Sequence, residues 1–78
     1  MDISAQQTAD LLANLPKKWR QTAAQKFEKS VSYIEKVVAG KIENIEVFDY
    51  VAELAEQNKI AKDAKKAQII NRLKALAS

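Results

Sequence analysis

Only two residues in this chain of 78 interrupt a helix by their backbone chemistry, Pro16 and Gly40. Proline lacks the amide that a helix interior needs, and glycine is the residue most at ease in the left-handed conformation that ends helices. Around these two, Ala, Lys, Glu, Gln and Leu predominate, residues that lose little freedom on entering a helix. No stretch alternates polar and apolar residues long enough to argue for a strand. The expected fold is all-α, a compact bundle of about four helices with one long central helix.

The caps and apolar periods place the helices. "SAQQ" at residues 4–7 matches a capping box, so helix 1 starts at Ser4. It stops near Asn14, because Leu15 precedes Pro16 and is pushed out of helical geometry. Leu11, Leu12 and Leu15 form its apolar edge. Helix 2 is expected over residues 16–39, with Pro16 in its first turn and Gly40 as its stop. Trp19, Ala23, Phe27, Val31, Ile34, Val37 and Val38 fall within one arc of about 120°. A break near residues 30–32 is the alternative. Helix 3 spans residues 44–57, from Asn44 as N-cap to Asn58 as left-handed C-cap, and buries Val47, Phe48, Val51, Leu54 and Ala55. Ile42 and Ile45 pin the preceding connection to the core. Helix 4 begins at Asp63 or near Ile60, with Ile69, Ile70, Leu73, Leu76 and Ala77 as its apolar stripe.

Size and composition exclude much. A chain this short makes one domain at most, residues 1–78, and buries about 60% of its unfolded surface. Cysteine and histidine are absent, which removes disulfides, thiol chemistry, the commonest metal ligand and the usual general base. There is no Gly-rich phosphate loop and no cluster with metal-ligand spacing. Hence no catalytic residue, no metal ligand and no cofactor is expected, and the chain reads as no enzyme. Its longest apolar runs are two or three residues, so no membrane partner is expected. The opening "MDISAQQTAD" has neither a basic nor an apolar signal region, and the expected location is cytoplasmic.

Charge is distributed in blocks. Residues 1–15 carry two acids and no base, and residues 16–41 seven bases and two acids. Residues 42–58 carry five acids and no base, and residues 59–78 six bases and one acid. Glu46, Asp49, Glu53 and Glu56 share a face about 80° wide on helix 3, opposite its apolar stripe. Such a strip is either a solvated face or a docking surface for a basic partner. Trp19 and Arg20 open helix 2. Arg20 falls inside the apolar arc, where it snorkels, stacks on an aromatic ring or belongs to an interface.

The stretch "YIEKVVAGKIENIEVFDYVAEL", residues 33–54, resembles the helix–Gly–helix segment of small antitoxins that inhibit Fic-type AMP-transferases. That family's inhibitory signature is Ser or Thr, three residues, Glu, then Gly or Asn. It matches at no position here, so its activity is not carried across.

Two functions remain. A 24-residue helix 2 would be about 36 Å long in a domain about 30 Å across, and its overhang would expose apolar surface. A second copy of the chain, a different protein or a flattened bundle would cover it. This favours a non-catalytic protein–protein interaction or regulatory module, inhibitor- or adaptor-like, with a homodimer as one way to cover the overhang and with Trp19, Arg20, Glu46, Asp49, Glu53 and Glu56 as partner-binding residues. The alternative is a small DNA-binding regulator of helix-turn-helix outline, with nucleic acid as partner. Lys65, Gln68, Asn71 and Arg72 share the outer face of helix 4 and suit phosphate and base-edge contacts. A net charge of +3, a turn without glycine and an acidic preceding helix count against it.

Overall fold

The computed structural model describes residues 2–77, which form four α-helices and no strand among them. α1 spans Ala5–Asn14, α2 Trp19–Phe27, α3 Val31–Val38 and α4 Ile45–Ala77. The bundle is therefore all-α, as expected, but its one long helix is the last.

α1 follows the capping-box reading. The Gln7 amide donates to Ser4 Oγ at 3.1 Å, and the Ser4 amide donates to Gln7 Oε1 at 2.9 Å. Leu15 is extended, as a residue before proline should be. Pro16 lies outside any helix, however, and α2 starts only at Trp19, after Lys18 in a left-handed conformation (φ 65°).

The expected helix 2 is two helices. α2 ends at Phe27, where Glu28 turns left-handed (φ 54°) and the Lys29 amide reaches back to the Ala24 carbonyl at 3.0 Å. This is the Schellman arrangement, made here without glycine. Ser30 then caps α3 by accepting from the Tyr33 amide at 3.0 Å. The break folds the apolar arc back on itself. Trp19 and Ala23 from α2 and Ile34, Val37 and Val38 from α3 are all buried in one core. α3 stops where Gly40 (φ 83°) permits the left-handed turn, and the Lys41 amide bonds the Lys36 carbonyl at 2.9 Å.

Asn44 caps α4 and joins it to α3. Its Oδ1 accepts from the Val47 amide at 3.1 Å, and its Nδ2 donates to the Tyr33 hydroxyl at 2.9 Å. Val47, Val51 and Ala55 are buried, with Phe48 and Leu54 half-buried beside them. Ile42 packs on the core as expected, whereas Ile45 is exposed. Phe27 meets Tyr50 edge to face, ring centroids 5.5 Å apart.

The expected helices 3 and 4 are one helix of 33 residues. Asn58 does not stop it, and Asp63 does not start another. "NKIAKDAKKAQ" contains no glycine or proline, and its Ala and Lys residues favour continuation. Asn58 caps a different helix: its Nδ2 donates to the Asn14 carbonyl at 2.8 Å, satisfying an end of α1. Asp63 sits mid-helix, 3.5 Å from Lys59 Nζ.

Continuity gives the molecule an elongated shape. Its extents are 54 × 27 × 16 Å and its radius of gyration is 16.1 Å, against about 11.5 Å for a compact chain of this length. The core holds α1, α2, α3 and the first half of α4, and the rest of α4 projects from it.

Candidate functional site

The projecting half of α4 carries an apolar stripe that nothing among the described residues covers. Every residue from 59 to 77 is exposed. The stripe assigned to helix 4 is therefore uncovered, not buried: Ile69, Ile70, Leu73 and Leu76 are 46%, 51%, 59% and 83% exposed. The cause is geometric. A helix rises about 1.5 Å per residue, so 19 residues beyond Asn58 carry the stripe nearly 30 Å past the last element it could pack on. Six bases and Asp63 lie on the same segment. Lys65, Gln68, Asn71 and Arg72 are all exposed on it, and no turn separates them from the acidic half of α4.

The first half of α4 carries the opposite charge. Glu46, Asp49, Glu53 and Glu56 are exposed together, with Glu53 Oε1 accepting from Gln57 Nε2 at 3.2 Å. Among the described residues, no three carboxylates converge to hold a metal ion.

Glu56 also borders a groove of about 460 Å³ between α1 and α4. Ile3, Leu11, Phe48, Ala52 and Ala55 give it an apolar floor, and Asp2, Asp10 and Glu56 a mainly acidic rim that also includes Lys59. The sequence signal for this groove is faint. Its two walls lie more than thirty residues apart, and only the pairing of small Ala52 with apolar Phe48 four residues earlier marks α4's share of it.

Trp19 and Arg20 lie elsewhere. Trp19 is 6% exposed and belongs to the core. α2 has nine residues and no overhang, so the geometry that placed a partner anchor there is absent. Arg20 covers the indole from outside, its Cζ 4.6 Å from the ring centroid, and its Nε lies 3.1 Å from Glu35 Oε1. Both members of that ion pair are about half exposed, so it adds little stability. Arg20 thus stacks on an aromatic ring while tying α2 to α3. Trp19 and Arg20 lie on α2, whereas the acidic strip shares α4 with the projection.

No helix among the described residues is long and apolar enough to cross a membrane. No protein-family model, curated protein or solved structure matches the chain.

Proposed function

We propose that this chain is a non-catalytic protein-binding module, of inhibitor or adaptor type, whose partner packs on the projecting half of α4. The observation that carries this reading is the uncovered stripe of Ile69, Ile70, Leu73 and Leu76. Four large aliphatic side chains on one helical segment, flanked by lysines and an arginine, suit helix-to-protein packing, in which apolar anchors bind and a charged margin selects. An isolated helix of this length is marginal in water, so burial against a partner would also stabilise it. The acidic face of α4 would then guide a basic partner surface to the neighbouring half.

A second reading uses the same projection. Lys65, Gln68, Asn71 and Arg72 on a continuous exposed helix have the chemistry of a nucleic-acid groove binder. That reading gives the aliphatic stripe no role at the nucleic acid. Capture from cell extract with the full chain as bait separates the two. Protein capture that survives nuclease, is lost in Leu73→Glu and persists in Lys65→Ala/Arg72→Ala supports protein binding. Capture that needs nucleic acid and is lost in the double alanine variant contradicts it.

A further inference from the structure

We infer that the partner of the projecting half of α4 is a second copy of this chain, docked antiparallel so that each projection fills the other copy's α1–α4 groove. The inference rests on the protein-binding reading above and specifies its occupant. Three observations point the same way.

The first is charge. Residues 1–15 and 42–58, which supply all of the groove's lining except Lys59, hold seven acids and no base, and the projection carries six bases and one acid. Asp2, Asp10 and Glu56 rim the groove itself and outnumber its one base, Lys59. A basic helix fits this rim, and a projection lying parallel to another projection would meet like charge.

The second is register. Phe48, Ala52 and Ala55 on the groove floor and Ile70, Leu73 and Ala77 on the projection fall within about 60° of one α4 face at 100° per residue. An antiparallel pair with its two-fold axis beside residues 62–63 sets Phe48 against Ala77, Ala52 against Leu73 and Ala55 against Ile70. Each large side chain then meets a small one, twice over, as an isologous interface requires. Near the axis the two copies bring six lysines, Lys59, Lys62 and Lys66 of each, against four acids, Glu56 and Asp63 of each, so the like charge there is partly offset.

The third is extent. The seam from Phe48 to Ala77 is about 44 Å long and a helix is about 10–12 Å wide, giving roughly 500 Å² per copy before α1 contributes. The pair therefore reaches the roughly 1,000 Å² that a specific interface needs.

The chain has no cysteine, so introduced pairs report cleanly. Residues 52 and 73 of one copy are about 32 Å apart along α4, far beyond the roughly 4.4–6.8 Å that a disulfide spans between Cα atoms. Oxidation of the Ala52→Cys/Leu73→Cys variant should give a covalent dimer on non-reducing gels, and neither single variant should. In sedimentation equilibrium the wild type should dimerise, and Leu73→Glu should weaken dimerisation roughly thirtyfold. Its circular dichroism in the dilute monomer should still report the folded core. A monomeric oxidised double variant, or single variants that cross-link equally well, would overturn the antiparallel pair. If the wild type sediments as a monomer while capture from extract still depends on Leu73, the dimer falls and the protein-binding reading stands. If neither association nor capture responds to Leu73→Glu, both fall.

Discussion

The two halves of α4 obey the same helical geometry and meet different surroundings. From Ile45 to Asn58 the helix has a buried stripe, a cap shared with Tyr33 and a hydrogen bond to the end of α1. From residue 59 to 77 it has its own backbone bonds and the Lys59–Asp63 pair, but no buried residue. Helical propensity is enough to draw both halves, yet tertiary packing supplies most of the stability of a helix in water. The comparison therefore separates what a sequence makes helical from what a fold holds in place.

Trp19→Ala should break the packed region most severely. Removing the largest buried side chain should cost about 3–5 kcal/mol, enough to unfold much of so small a domain, and thermal melting followed by circular dichroism would read it. A variant that melts like the wild type would move Trp19 out of the core. Next in size is Asn58→Ala, at the boundary between the halves. It removes the donor to the Asn14 carbonyl, and a loss of about 1 kcal/mol in denaturant unfolding is expected, with the end of α1 exchanging its amides faster.

That boundary also shows how far the sequence could be read. Ser4, Leu15, Gly40 and Asn44 each announce a helix end through a local interaction, and each end lies where expected. Glu28 gives no such notice. It adopts the left-handed conformation without being glycine or asparagine, because folding α3 back onto α2 closes the core, and that gain is tertiary. Asn58 and Asp63 mislead for the converse reason. Both are common at helix ends, but here one side chain serves another helix and the other pairs with Lys59, while alanines and lysines carry the backbone through. The buried arcs were legible because a helix's apolar period survives a break. Trp19, Ala23, Ile34, Val37 and Val38 share the core although two helices supply them. The candidate surface was half legible: the stripe of Ile69, Ile70, Leu73 and Leu76 was visible, and its exposure was not, since that depends on where α4 leaves the bundle. The groove required the contact of α1 with α4.

Leu73→Ala sharpens the contrast in the other half. In dilute monomer it should change core stability by less than about 0.5 kcal/mol, although a buried leucine so truncated loses about 2–5 kcal/mol. Chemical denaturation followed through Trp19 fluorescence would show it, and a loss in the core range would mean that Leu73 is covered within its own chain. The smallest expected effect is at Glu53→Lys, which turns like-charge neighbours at Asp49 and Glu56 into attractive ones. It should be neutral or stabilising by a few tenths of a kcal/mol, and denaturant titration would read it. A loss above about 2 kcal/mol would show a carboxylate that is buried and paired.

Amide hydrogen exchange, resolved by residue and measured across a range of protein concentrations, tests the two-region account most directly. In dilute protein, residues 47–55 should exchange only through global unfolding, and residues 59–77 should exchange with little protection. As concentration rises, protection should appear along residues 66–77 and increase in α1, as the antiparallel pair forms. Protection of residues 59–77 equal to that of the core in dilute monomer, with no dependence on concentration, would contradict the account.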